Sequence, residues 1–167
     1  MQVIERPSFY VIGISDRTHN VKELAGSGVI GAMWQRFFSE SHLSRISNRV
    51  DNDIIAVYFD YADGRDGEYN FLLGARVSDI YHVPDGMVAY QVPAQKYVVF
   101  TSSQGKMPDV EVALWKEIWA LEDIGQLDRA YGADYVVYDE RSHNPEHAVV
   151  DIYIGLKNTT EMLVGEV

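Results

Sequence analysis

The chain has 167 residues, 47% hydrophobic, 12% aromatic and 23% charged, which is the composition of one globular domain with a surplus of tyrosine. Its 25 acidic and 14 basic residues give a net charge of −11 with no basic stripe, which excludes a nucleic-acid groove built on counterion release. Zero cysteines exclude disulfides, thiolate metal sites and cysteine nucleophiles.

The start, MQVIERPSFYVIGI, lacks a basic segment ahead of a long apolar one, so no signal peptide is read. A first strand is predicted over 9–15. Ile30, Met33, Trp34, Phe37 and Phe38 then make an apolar stripe at helical spacing, with Ser27 placed as its N-cap. Strands follow over 54–61 and 69–77, joined through a polar turn at 60–68 (DYADGRDGE). Further strands are predicted over 87–92 and 97–102. Pro108 and Asp109 start a second helix, on which Val110, Ala113, Leu114, Ile118 and Leu121 form one row beside Trp115 and Trp119. Strands over 134–139 and 148–156 close the pattern, and 158–167 reads as a loose tail. No apolar run is long enough to span a bilayer, and a cytoplasmic protein is expected.

An internal duplication organises these elements. A shift of 81 carries Met33-Trp34-Gln35-Arg36-Phe37-Phe38 onto Leu114-Trp115-Lys116-Glu117-Ile118-Trp119, and Gly74 onto Gly155. With a one-residue slip, Ala56-Val57-Tyr58 meets Val136-Val137-Tyr138. Neither half buries its sheet and helix alone. The prediction is one α+β domain over 1–157, with repeats 1–83 and 84–157 related by a pseudo-twofold axis. It would have two antiparallel sheets and two main helices around a central cleft. The excess acid is uneven: residues 1–83 hold 8 basic and 11 acidic residues, residues 84–167 hold 6 and 14.

Three motif matches weaken on inspection. His143-Asn144-Pro145-Glu146-His147 fits the H-x-x-E-H zinc signature, yet Pro145 interrupts the helix that the chemistry needs, so a polar turn is the better reading. Asp60, Asp63, Asp66 and Glu68 miss the calcium-loop spacing and read as a solvated hairpin. Gly26-Ser27-Gly28 lacks a nucleophile-elbow frame. No metal and no cofactor is expected. What remains is aromatic: Trp34, Tyr58, Trp115, Trp119, Tyr138 and Tyr153 lie at related positions of the halves. Tyrosine and tryptophan carry polar atoms that an ordinary core avoids, and walls of this kind suit a lipophilic or cationic ligand.

The order and spacing of Phe9-Tyr-Val-Ile-Gly-Ile, Ile30-Gly-Ala-Met-Trp-Gln-Arg-Phe-Phe, Ala56-Val-Tyr-Phe-Asp-Tyr, Tyr97-Val-Val-Phe, Leu114-Trp-Lys-Glu-Ile-Trp, Asp134-Tyr-Val-Val-Tyr-Asp and Val150-Asp-Ile-Tyr-Ile resemble the gyrase-inhibitor-like (GyrI-like) small-molecule-binding domain, which is also the effector-binding domain of AraC- and MerR-type regulators. The resemblance implies two strand–helix–strand–strand repeats around a cleft that takes cationic, lipophilic drugs. It also implies two alternatives, a small-molecule hydrolase and an acidic protein that binds gyrase; a regulator is a further protein partner. The family commonly has Asp-Phe-Glu-x-Tyr in the strand after the second helix, where this chain has Val136 in place of the acid. Asp151, two residues before Tyr153, and Glu117, beside the helix tryptophans, are the substitutes considered. The candidate ligand-binding set is therefore Trp34, Phe37, Tyr58, Trp115, Glu117, Trp119, Val136, Tyr138, Asp151 and Tyr153, with no catalytic residue assigned.

Overall fold

The computed structural model describes residues 2–157. The strands are β1 (Gln2–Arg6), β2 (Phe9–Thr18), β3 (Ile54–Phe59), β4 (Tyr69–Val77), β5 (Val88–Val92), β6 (Gln95–Thr101), β7 (Ala133–Tyr138) and β8 (Asp151–Gly155). Two long helices, α2 (Ile30–Ser39) and α4 (Asp109–Asp123), accompany the short α1 (Asn20–Leu24) and α3 (His42–Arg45). The tail at 158–167 lies outside the described residues. Among the described residues no helix is long and apolar enough to cross a membrane.

All eight strands form one antiparallel sheet, in the order β1-β6-β8-β7-β3-β4-β2-β5. The two sheets anticipated from the duplication are thus the edge-joined halves of a single sheet. Reading outward from the β3–β7 seam, the halves run β3-β4-β2-β5 and β7-β8-β6-β1. The opening strand of each repeat therefore sits on the outer edge of the other repeat. At the seam Ala56 pairs with Val136. Equivalent residues of an antiparallel pair face each other only where a twofold axis passes, so the slip of one residue in the duplication is the register of this seam. The strand at 2–6 escapes sequence reading because its residues are mostly exposed and polar, with only Ile4 half-buried.

Alternation along the strands gives the sheet two buried faces. On one, Ile12, Ala56, Phe71, Leu73, Val136, Ile152 and Ile154 pack against Met33 and Phe37 of α2 and Leu114 and Ile118 of α4. The other face carries no helix, yet Val11, Ile55, Val57, Leu72, Tyr97 and Tyr135 are buried there. Curling explains it. The rings of Phe59 and Tyr90 stack at 3.8 Å although β4 and β2 lie between their strands, a separation of roughly 14 Å in a flat sheet. Gly13 lies opposite Gly74, and the strands approach so closely there that a Cβ on Gly74 would stand 1.9 Å from the Ile12 carbonyl oxygen. Gly74→Ala is accordingly expected to destabilise the fold by about 1–3 kcal/mol, read as a lowered urea midpoint at unchanged slope.

The entry to α2 differs from expectation. Its N-cap is Val29, with no side-chain cap, and Ser27 instead bonds the Lys22 carbonyl at 3.4 Å. The capping function comes from α1: the Glu23 carboxylate accepts from the backbone N–H groups of Val29 at 2.9 Å and Ile30 at 3.2 Å. An acid at that end of the helix dipole is favourable, and Gly28 leaves room for it, since a Cβ there would stand 1.9 Å from the carboxylate as placed and displace it.

Candidate functional site

A cleft of about 860 Å³ opens between α2 and α4, with the seam strands beneath it. Its walls follow from helix periodicity: residues four apart share a face. On α2 that face presents Ile30, Trp34 and Phe38; on α4 it presents Glu111, Trp115 and Trp119. The shift of 81 maps the first trio onto the second. Tyr58 and Tyr138 rise from the seam strands. Trp34 and Trp115 each pack on the tyrosine of the other repeat, Trp34 on Tyr138 at 4.8 Å and Trp115 on Tyr58 at 5.2 Å, both edge to face. Edge-to-face geometry is the favoured arrangement of ring quadrupoles. Phe38 against Trp119 keeps an aromatic ring in both trios, and the pseudo-symmetry is broken in charge at one pair of the trios, Ile30 against Glu111.

Glu111 is the acid of the central stripe. It is half-buried, and the Tyr138 hydroxyl donates to its Oε1. Burial pushes its carboxyl above the ordinary value, while hydrogen bonds from Tyr138 and the Trp115 side chain pull partly back. Tyr138, buried beside this carboxylate, is held well above the usual phenol range and remains a donor. Tyr58 is also raised well above that range, by burial and then by the Glu111 charge.

One end of the cleft is polar. Asp134, fully buried, accepts from the Tyr61 hydroxyl at 2.6 Å, Arg129 Nη2 at 2.7 Å and the Gly155 N–H at 2.8 Å. The Arg129 guanidinium lies over the Tyr131 ring at 4.3 Å and the Trp115 ring at 5.9 Å. Arg65 donates to the Trp119 carbonyl at 3.3 Å and to Asp123 at 2.9 Å. At the rim, the Tyr69 hydroxyl donates to Asn20 Oδ1 at 3.0 Å, and Asn20 Nδ2 donates to the Arg65 carbonyl at 3.1 Å. These bonds tie α1 across the cleft mouth.

Of the ten residues singled out from sequence, Trp34, Tyr58, Trp115, Trp119 and Tyr138 line the cleft. Phe37 is core, 1% exposed beneath α2, and Val136 is buried at the seam opposite Ala56. Neither proposed substitute reaches the cleft. Asp151 and Tyr153 project from the opposite sheet face, where Tyr153 stacks on Tyr135 at 4.4 Å and Asp151 pairs with Arg141 at 2.6 Å and Thr101 at 2.6 Å. Glu117 is exposed on the outer side of α4. The acid that sequence reading missed was within reach: carrying Ile30 forward by 81 gives Glu111, four and eight residues before the two tryptophans. His143 and Pro145 of the H-x-x-E-H match lie in a turn at the rim. Among the described residues no group of three or more His, Asp or Glu is placed to hold a metal.

This geometry has relatives. Two proteins named as transcriptional regulators are similar in sequence. YobU of Bacillus subtilis is 31% identical over 148 residues, 87% of this chain and 90% of YobU. BrlR of Pseudomonas aeruginosa is 33% identical over 158 residues, 92% of this chain but 54% of BrlR, so the chain spans about half of that protein. The fold is shared with an integron cassette protein from the mobile metagenome of Vibrio cholerae (TM-score 0.74, 23% identity, 93% of this chain and 95% of that one). It is also shared with SAV2435, whose structure is of the tetraphenylphosphonium-bound protein (TM-score 0.77, 15% identity, 96% and 95%). At these identities the structural likeness speaks for the fold alone. The sequence model of the Cass2 family matches residues 2–156, and with GyrI-like architecture, duplicated cleft and regulator relatives in agreement, the chain belongs to the integron-associated effector-binding proteins.

Proposed function

We propose that the cleft binds lipophilic cations of delocalised charge, as an effector or drug sensor. The observation that carries the reading is Glu111, a carboxylate set among Trp34, Tyr58, Trp115 and Tyr138; the second lining acid, Glu23, is engaged by the backbone N–H groups of Val29 and Ile30. Ring faces attract a cation, and a partly desolvated carboxylate gains most from a positive partner. Apolar burial supplies the bulk of the affinity, about 25 cal/mol per Å² before association costs. A spread-out charge suits such a site because it loses little hydration on entry. The tetraphenylphosphonium complex of SAV2435 supports the same class of ligand for a relative of this fold.

Shape and charge separate in one experiment. Tetraphenylphosphonium and tetraphenylborate have nearly the same shape and opposite charge. Titrating each against the fluorescence of Trp34, Trp115 and Trp119 is expected to show quenching by the cation and binding at least about tenfold weaker for the anion. Equal affinities, or tighter binding of the borate, would overturn the reading.

A further inference from the structure

The broken symmetry of the cleft has a second side. Tyr138 and Tyr58 are equivalent residues, and both are more than nine-tenths buried, at 7% and 8% exposure. The Tyr138 hydroxyl is occupied by Glu111. The position equivalent to Glu111 beside Tyr58 is Ile30, which has no acceptor to offer. No hydrogen bond among the described residues reaches the Tyr58 hydroxyl, whose oxygen is not among the fully buried unpaired atoms and so opens on the cleft, while its ring is fixed by Tyr69 at 5.4 Å, Phe71 at 5.2 Å and Trp115 at 5.2 Å. A ligand that displaces water from this hydroxyl without replacing the bond leaves it unpaired and loses affinity.

We propose that Tyr58 is a specificity-determining donor, so that the cleft selects ligands carrying a hydrogen-bond acceptor such as a carbonyl oxygen in addition to their apolar rings. This rests on the cleft being the ligand site proposed above, and it names the ligand class more narrowly: an aromatic cation with an acceptor at the Tyr58 side and its charge at the Glu111 side. Burial keeps Tyr58 protonated through the ordinary pH range, so it offers a proton and not a charge. Its fixed ring makes the direction of that proton part of the site.

The test uses two cations of matched shape, (para-acetylphenyl)triphenylphosphonium and (para-isopropylphenyl)triphenylphosphonium, which differ by a carbonyl oxygen in place of a methyl group. The unmodified protein is expected to bind the acetyl compound about fivefold more tightly, and Tyr58→Phe to bring the two within about twofold. Phenylalanine keeps the ring contacts, and an unchanged thermal midpoint checks that the variant is folded. Equal affinities in the unmodified protein, or a preference that survives in Tyr58→Phe, overturn the proposal. The neutral pair para-acetylbiphenyl and para-isopropylbiphenyl separates it from the cation reading. If only the neutral pair binds, and the ketone preference disappears in Tyr58→Phe, the donor role stands and the cation reading falls. If no member of either pair binds, both fall.

Discussion

Replacing Asp134, fully buried behind the polar end of the cleft, by alanine is expected to cost about 3–5 kcal/mol. The reason is the partner left behind. Arg129 has only 3% of its side chain exposed, and its ion pair with Asp134 at 2.7 Å is its closest charge contact; Glu122 follows at 3.8 Å. Removing the carboxylate strands a buried guanidinium and also takes the acceptor from Tyr61 and from the Gly155 N–H. For a chain of this length the loss lowers the melting temperature by roughly 10 °C, measurable by circular dichroism. Asp134→Asn, which keeps one acceptor oxygen, is expected to fall between the two. A midpoint for Asp134→Ala within about 2 °C of the unmodified protein contradicts the assignment.

Glu111→Gln is expected to move ligand binding and stability in opposite directions. Affinity for tetraphenylphosphonium falls about 10–100-fold, equivalent to about 1.4–2.8 kcal/mol, while the amide oxygen still accepts from Tyr138. Stability rises, because the carboxylate is uncomfortable where it stands. Folding raises its pKa, so between the ordinary and the raised value the native state holds a proton that the unfolded chain releases. Its contribution to stability is therefore greatest below the ordinary value and is lost as pH rises through that window. At neutral pH the ionised group is a cost, and glutamine removes it. The two effects share a pH signature. In the unmodified protein cation affinity decreases as pH drops through the raised Glu111 pKa, whereas in Glu111→Gln the profile is flat. Calorimetric titration across that range reads both, and a sloping profile in the variant assigns the titration to another group.

The duplication was legible because it lives in the order of residues. Trp34 and Trp115 at a fixed shift, and the slip at Ala56 and Val136, anticipate the twofold seam and half of the cleft wall. The single continuous sheet was not legible, since edge pairing of β3 with β7 is set by long-range register that no local pattern encodes. Strand alternation placed Asp151 beside Tyr153 correctly, but alternation leaves open which face is the cleft, and the curl toward the helix-free face decides it. Phe37 illustrates the same limit on a helix: it neighbours Trp34 in the stripe, yet one position of rotation sends it into the core. Glu111 escapes sequence reading because an acid in the first turn of α4 is also suited to the positive end of the helix dipole. A charge with two physical uses hides the second behind the first.

The mismatch between Ile30 and Glu111 bears on why the two repeats share one chain. Two identical halves assembled as a homodimer obey their symmetry, so their shared cavity carries two copies of every acid or none. Two carboxylates facing one aromatic cavity repel, and one of them is neutralised by taking up a proton. Tandem fusion after gene duplication lifts that constraint. Each repeat then varies alone, so that one carries an isoleucine and the other a glutamate. An acid on one tryptophan stripe, unmatched on the other, is thus a property open to the fused chain and closed to a symmetric dimer of its halves.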